Sequence, residues 1–238
     1  TIHTVPAGEL RWMGARRTEN LRTNSSVFSG SGWLQDGLVV SDASETSITG
    51  VLNKACLLQM PTVSTSNNRI ISYFSLLLGA ERFGRDAIFS FRVKAPTGST
   101  DTLRILIGDA PDSLGAFSPS TGEWVTTYGQ YETVDEGDGW YRISCLRTYT
   151  NNPYFIFTVS DSTNTVVFGA NTGGIIVDDF QVEDITGQSI QTAADFIETN
   201  GTAVTKWFDT TQNGDLLRPI GWQDGRMLYD TYAPWEAA

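Results

Sequence analysis

The stretch Ala87-Ile88-Phe89-Ser90-Phe91-Arg92-Val93-Lys94 decides the fold class of this chain. Phe89, Phe91 and Val93 alternate with polar side chains. A period of two is typical of a strand that buries one face, whereas an amphipathic helix places apolar residues at intervals of three and four. We therefore predict a strand whose apolar face belongs to a core.

The same alternation recurs along the chain between short turns rich in Gly, Asn, Asp and Pro. No long segment keeps a helical period, and residues 188–198 offer one helical turn at most. Many short strands separated by turns favour an all-β fold, an antiparallel, jelly-roll-like β-sandwich. Further strands are predicted at 103–107, 141–145, 155–159, 166–168 and 175–182. The predicted core comprises Phe89, Phe91, Val93, Ile105, Ile107, Tyr141, Ile143, Phe155, Phe157, Val177 and Phe180.

Length and composition indicate one globular sandwich with irregular ends. The chain has 238 residues, of which 40% are hydrophobic. A length of about 200–250 residues is common for a single sandwich domain. We divide the chain into an N-terminal segment 1–24, a sandwich 25–206 and an aromatic-rich C-terminal extension 207–238. Exposure of a tryptophan side chain to water is unfavourable because its apolar area is large. The extension is therefore predicted to be an assembly arm or a packing segment, on the basis of Trp207, Trp222 and Trp235.

The charge of the chain bears on its partners. A formal net charge of −11 repels phosphate backbones and anionic lipid headgroups. Nucleic acid and membrane insertion are therefore not expected, whereas neutral glycans and other proteins are compatible with this charge.

The sequence contains no run of about 18 apolar residues, so it predicts no membrane-spanning helix. The chain starts with Thr and without a signal peptide, so we expect a trimmed protein or a piece of a longer one.

The residues needed for common catalytic sites are scarce. His3 is the single histidine, so a Ser-His-Asp triad, a Cys-His pair and a histidine-based zinc site all depend on it. Gly30-Ser31-Gly32 lacks the following lysine and helix start of a phosphate-binding loop, and it predicts a turn. We expect no enzymatic activity and no cofactor.

A group of carboxylates keeps one enzymatic alternative open. Asp178, Asp179, Glu183 and Asp184 lie close together in the sequence, and glycoside hydrolysis needs two acids about 5–10 Å apart. Asp178 and Glu183 differ by five positions, so a regular strand places them on opposite faces. We expect solvated charges at a strand edge or a structural cation site.

The cysteines and several aromatic residues are further candidates for a structural or a binding role. Cys56 and Cys145 lie among apolar neighbours and are predicted to be buried thiols. Aromatic rings can stack on the C–H faces of sugars. The speculative glycan-binding residues are Trp124, Tyr128, Tyr131, Tyr149 and Tyr154, for which core packing or plain exposure is the alternative.

Five segments together resemble the jelly-roll modules of tailed-phage virion proteins, which are similar to carbohydrate-binding modules. Residues 15–25 resemble their "ARR-x-E-N-L-x-x-N-S" motif, and Phe89–Ala95 resembles "S-x-Y-V-K-A". Gly137–Arg142 resembles "G-N-G-W-Y-R", and Val177–Glu183 resembles "G-A-Q-L-E". Residues 194–205 resemble the closing "T-S-Y-I-P-T-x-G-x-A-V-T-R" motif. The order and spacing agree over roughly residues 11–206.

The resemblance implies a phage particle as the location, in a tail fibre, another tail protein or a capsid fibre. It implies other virion proteins as partners, a homo-oligomer with a trimer favoured, and a host surface glycan as a ligand. It also implies a structural calcium ion, for which Asp178 or Asp179 would be a late ligand. A serine stands in the 24–29 segment where the wider family has a glutamate ligand.

Three functional hypotheses follow. The chain is a virion module that recognises or attaches to a host glycan. Alternatively, it decorates a capsid or tail, or forms part of a fibre, with a purely structural role in assembly. The minor alternative is a jelly-roll enzyme that degrades polysaccharides.

Overall fold

A computed structural model describes residues 15–22, 28, 33–43, 55–61, 69–73, 84–107, 113–127, 131–148, 154–160, 173–188, 191–199, 204–209, 218–223 and 226–230. These residues contain sixteen strands and no helix. The strands are β1 Ala15–Asn20, β2 Leu34–Asp36, β3 Val39–Asp42, β4 Cys56–Gln59, β5 Arg69–Tyr73, β6 Asp86–Lys94, β7 Thr102–Ile107, β8 Ser113–Ser118, β9 Glu123–Thr127, β10 Tyr131–Gly137, β11 Trp140–Thr148, β12 Tyr154–Ser160, β13 Ile175–Asp184, β14 Val204–Asp209, β15 Arg218–Gln223 and β16 Arg226–Asp230.

Two antiparallel sheets form the body of the fold. The eight-stranded sheet has the order β10-β11-β6-β13-β1-β14, and β4 pairs with β13 and carries β3. The six-stranded sheet has the order β2-β5-β12-β7-β8-β9. Neighbours in both sheets are mostly distant in sequence, as in jelly-roll connections. The all-β antiparallel prediction is confirmed.

Phenylalanine rings join the two sheets face to face. Phe91 of β6 lies 4.9 Å from Phe157 of β12 between ring centroids, and Phe155 lies 4.9 Å from Phe180 of β13. Burial of each such side chain is worth roughly 1.5–3 kcal/mol. The core also contains Phe28, Trp33 and Phe117. The predicted core is confirmed except that Tyr141 is only partly buried and the side chain of Ile107 lies outside the described residues.

A β-bulge interrupts β13 where it crosses β6. Asp178 pairs with Arg92 and Gln181 pairs with Ser90, so two residues of β13 oppose one residue of β6. Asp179, inside the bulge, has a φ of 53°. The extra residue moves Glu183 onto the face that Asp178 occupies, because their partners Ile88 and Arg92 are four positions apart. The prediction that these two carboxylates lie on opposite faces is therefore wrong.

The chain ends contribute strands as well. β1 lies within the segment 1–24 and pairs with β14, so that Arg17 lies opposite Trp207. Residues 207–209 of the extension thus continue a strand of the eight-stranded sheet. β15 and β16 form a separate two-stranded sheet. The predicted strand at 166–168 lies outside the described residues.

Residues 191–199 are irregular, without the helical turn that their sequence would allow. Over the described ranges, nothing helical is long or apolar enough for a membrane crossing.

Candidate functional site

The outer face of the eight-stranded sheet carries most of the polar residues that strand alternation turns away from the core. Strand pairing sets Val134, Arg142, Arg92 and Asp178 side by side across β10, β11, β6 and β13. The next row along the same strands comprises Glu132, Ser144, Ser90 and Gln181. Residues directly opposite in a sheet share a face and contact each other. This face is a planar array of charged and hydrogen-bonding side chains.

Arg92 is held from two sides. Its Nε lies 2.5 Å from Oε2 of Glu136 and its Nη2 lies 3.1 Å from Oε1, which makes a two-pronged ion pair. Its Nη1 donates to Oδ2 of Asp179 in the bulge. Burial lowers the pKa of Arg92, but the hydrogen bond with Glu136 and the charges of Asp179 and Glu136 outweigh it and raise the pKa. The guanidinium plane of Arg92 is therefore fixed and permanently charged.

Residues 194–199 cross part of this face and cover β13. The side chain of Gln181 accepts a hydrogen bond from the Ile197 N–H at 2.7 Å. Glu183 accepts one from the Ala194 N–H at 2.9 Å and another from Gln181 Nε2 at 2.8 Å. Asn20 of β1 donates to the Ile197 carbonyl at 2.7 Å. These buried hydrogen bonds pin the segment to the sheet.

Arg142 lies where this cover ends. Its Nη2 donates to the Ala194 carbonyl and to Ser90 Oγ, the latter at 3.4 Å. It makes no ion pair with any residue that the structure describes. Burial, followed by the charge of Arg92, lowers the pKa of Arg142. A partly buried guanidinium with two neutral partners is unusual, since charges taken from water are normally paired.

Beyond Arg142 the face is open to solvent. Val134, directly opposite Arg142 on β10, is 46% exposed. Glu132, opposite Ser144, is also exposed. A guanidinium, a carboxylate and an apolar side chain thus occupy one open corner of the face, beside the covered part.

The carboxylates of β13 are engaged by other groups of the protein, and three of the four are buried. Asp178, Asp179 and Glu183 are buried, and Asp184 accepts hydrogen bonds from Arg85 Nη1 and from the Thr186 N–H, both at 3.0 Å. The expectation of solvated strand-edge charges is wrong for the three buried ones, because β13 is an inner strand. On one face, Asp178 and Glu183 are about 13 Å apart along the strand, more than the roughly 5–9.5 Å of a glycosidase pair.

The calcium site implied by the resemblance stays a prediction. Asp179 is ion-paired with Arg92, and Asp178 Oδ1 accepts a hydrogen bond from the Asp179 N–H at 2.8 Å. Calcium takes six to eight oxygen ligands. In the described part of the chain, no three His, Cys, Asp or Glu residues are gathered to hold a metal ion.

Two of the five predicted glycan-binding aromatic residues meet at the side of the sandwich. Trp124 of β9 and Tyr131 of β10 stack with ring centroids 3.7 Å apart. Trp124 also donates to Thr133 Oγ1 at 3.0 Å and packs against Phe117. The stack occupies one face of each ring and joins the edges of the two sheets. Their glycan-binding role stays a prediction.

Other predicted residues are placed only in part. Tyr154 begins β12, Trp207 lies on β14 and Trp222 lies on β15, but their side chains are outside the described residues. Tyr128, Tyr149, Trp235 and His3 lie outside them altogether.

The two cysteines behave as predicted. Cys56 and Cys145 are both free and buried. Burial raises the pKa of the Cys145 thiol to about 12, and burial also raises the pKa of Cys56.

The strand alternation already turned Arg92 away from the core, but it did not mark Arg142, Glu132 or Glu136 as partners. Their grouping depends on the pairing of β10, β11 and β6, which brings together residues as distant in sequence as Arg92 and Arg142. An arginine opposite the apolar face of two predicted strands, at 92 and 142, is the sequence signal from which the grouping could have been found.

Comparison with known proteins finds neither a matching family model nor a matching curated protein. Solved structures do resemble the fold. One is the CBM22-1 xylan-binding domain of Paenibacillus barcinonensis Xyn10C, at 14% identity and a TM-score of 0.41, covering 71% of this chain and 94% of that domain. Another is the C-terminal family 22 carbohydrate-binding module of Clostridium thermocellum Xyn10B. It has 11% identity and a TM-score of 0.43, and the match covers 72% of this chain and 97% of that module.

A third is the catalytic domain of a GH87 α-1,3-glucanase, at 12% identity and a TM-score of 0.33, covering 76% of this chain and 30% of that one. With TM-scores of 0.33 to 0.43 and identities of 11% to 14%, these likenesses carry no argument about the function of this chain.

Proposed function

We propose that this chain is a non-catalytic binding module on the surface of a tailed-phage particle, where it recognises a host glycan. The ordered motif resemblance over residues 11–206 supports the virion location. The fixed polar array on the outer face of the eight-stranded sheet supports glycan recognition. In this proposal the module acts in a tail or capsid fibre alongside other virion proteins, as a homo-oligomer with a trimer favoured.

The observation that carries the glycan proposal is the rigid framework that the locked pair of Arg92 and Glu136 gives to the polar outer face. Both oxygens of Glu136 face nitrogens of Arg92, and Asp179 holds the third side of the guanidinium group. Sugar hydroxyls both donate and accept hydrogen bonds, so planar charged groups in fixed positions suit them. Because the array is ordered before a ligand arrives, binding does not have to order it.

The proposed function is tested with the full chain on an array of glycans and on host cells. We expect binding to a limited set of glycans and to cells that display them. Absence of binding to both would contradict recognition of a glycan. Mass spectrometry of purified particles tests the location, and absence of the chain from the particles would contradict the virion assignment.

A specific observation favours a structural role in assembly as the second candidate. The large hydrophobic side chains that are exposed among the described residues are Leu34, Val39, Val125 and Val134, at 40% to 51% exposure. They lie on β2, β3, β9 and β10, which are outer strands of the two sheets. Proteins usually protect such edges with charge, since an apolar edge invites contact with another chain.

The assembly role is tested by light scattering of the full chain and of the triple variant Leu34→Lys, Val39→Lys and Val125→Lys. We expect the wild type to form an oligomer that the variant weakens. An equal mass for the two proteins would contradict assembly through these edges. In a shortened chain used to test the predicted assembly arm, the cut should follow Asp209, because residues 207–209 continue β14.

A further inference from the structure

We infer that Arg142 and Glu132 form a hydroxyl-binding pair at the open corner of the outer face, and that the ligand is a neutral glycan. The inference rests on the proposed function and adds the residues and the chemical class of the sugar.

The donors of Arg142 are only partly used. A guanidinium group carries N–H donors on Nε, Nη1 and Nη2. Nη2 donates to the Ala194 carbonyl and to Ser90 Oγ. Within the described ranges, Nε and Nη1 meet no acceptor, and neither is among the buried polar atoms without a partner. Both nitrogens are therefore not completely buried, and the described residues leave their donors for a ligand.

An unused acceptor lies close by. Glu132 is exposed on β10, and its carboxylate makes no ion pair or hydrogen bond among the described residues. Strand pairing places it opposite Ser144, two positions along β11 from Arg142. Alternate residues of a strand are about 7 Å apart, and diagonal neighbours in a sheet are about 7–8 Å apart. A sugar ring with neighbouring hydroxyl groups spans such a gap.

The surrounding charge decides the class of glycan. Glu183, Glu136 and Asp195 act electrostatically on Arg142, and Glu132 adds a further carboxylate nearby. Among the described residues of this face, Arg92 and Lys94 add positive charge, but Glu136 and Asp179 already neutralise Arg92. The Lys94 ammonium group lies over the Trp140 ring. An acidic sugar would meet an excess of negative charge. A neutral sugar accepts from Arg142 and donates to Glu132 without that cost.

An apolar side chain completes the corner. Val134 is 46% exposed and lies directly opposite Arg142. The C–H face of a sugar ring can cover it, so the hydroxyl edge and the apolar face of one ring are both matched.

The test uses the full chain on an array that contains neutral hexose and pentose oligosaccharides together with uronic-acid and sialic-acid oligosaccharides. Glu132→Gln is the main variant, because this exposed side chain is replaced by an isostere without a folding cost. We expect the wild type to bind neutral glycans and Glu132→Gln to bind them about tenfold more weakly. Glu123→Gln, an equally exposed glutamate on β9, is the matched control and should bind like the wild type.

Arg142→Lys is the second variant, with its folding checked by thermal unfolding. Lysine keeps the charge but lacks the planar set of donors, so we again expect about tenfold weaker binding. Neutral-glycan binding that neither variant weakens would overturn the site and leave the proposed function standing. Binding of acidic glycans alone would overturn the neutral class. Binding of no glycan would overturn this inference together with the proposed function.

Discussion

Arg92 and Arg142 are direct neighbours on adjacent strands, but their partners differ in charge. Like charges in this position repel each other. Arg92 offsets the repulsion through Glu136 and Asp179, whereas Arg142 has only neutral acceptors. The first arginine belongs to the framework, and the second is the one that we propose binds a ligand.

Removing one partner of the framework pair should cost stability. In Glu136→Gln, Arg92 loses its two-pronged carboxylate while remaining mostly buried, at 13% side-chain exposure. We expect a loss of about 2–3 kcal/mol in the free energy of unfolding, measured with urea. The matched control is Asp184→Asn, whose partner Arg85 is 46% exposed, and its loss should stay near 1 kcal/mol at neutral pH. Equal losses would contradict a framework role for Arg92.

The thiols should be inert in the folded protein. Burial raises the pKa of Cys145 to about 12 and also raises that of Cys56, which disfavours the reactive thiolate form of both residues. We expect a thiol-reactive dye to label neither cysteine under native conditions and both in denaturant. Rapid native labelling of either residue would show that its strand opens readily.

At the scale of elements, β8 approaches β9 so closely that one position excludes a side chain. Gly115 has a φ of 135°, and a Cβ atom there would lie 2.1 Å from the Thr126 carbonyl oxygen. We expect Gly115→Ala to lower the free energy of unfolding by more than about 2 kcal/mol. Gly98 also has a positive φ, of 80°, but has nothing within 4 Å of a Cβ atom. Gly98→Ala is therefore the control, and it should cost only about 1–2 kcal/mol of backbone strain.

Alternation along the sequence predicts the strands, whereas the prediction for β13 assumed a regular strand and missed the bulge. Phe89, Phe91, Phe155 and Phe157 are buried as their alternation predicts. The bulge at Asp179 is marked by a break in the apolar pattern, because the buried residues Val177 and Phe180 are three positions apart, whereas Phe180 and Val182 are two apart. If every second residue of β13 is assigned to the same sheet face, the assignment is therefore wrong for the residues after Asp178.

The candidate site was less accessible to sequence reasoning than the core. A core residue is identified by its own apolarity and period. The corner of Arg142 and Glu132 depends on which strands pair and in which register, and on where residues 194–199 end their cover. These are tertiary facts about residues that look like ordinary solvent-facing charges in the sequence.

At the scale of the whole molecule, acid should destabilise the fold partly through Asp184. Burial raises the pKa of Asp184, but hydrogen bonds with Thr186 and Arg85 outweigh it and hold the pKa below its ordinary value of 3.8. The stabilisation is present above the unfolded-state pKa and is lost as the pH falls through the lower folded-state pKa. The stability difference between the wild type and Asp184→Asn should therefore shrink below about pH 4. A difference that is constant from neutral pH to pH 2 would contradict this role.

We propose that the two-sheet sandwich presents glycan-binding residues on the outer face of its eight-stranded sheet. The most direct test is the affinity of the full chain for arrayed neutral oligosaccharides, measured for the wild type, Glu132→Gln and Glu123→Gln. We expect binding by the wild type and by Glu123→Gln, and about tenfold weaker binding by Glu132→Gln. The same affinity for all three proteins, or no binding by the wild type, would contradict the claim.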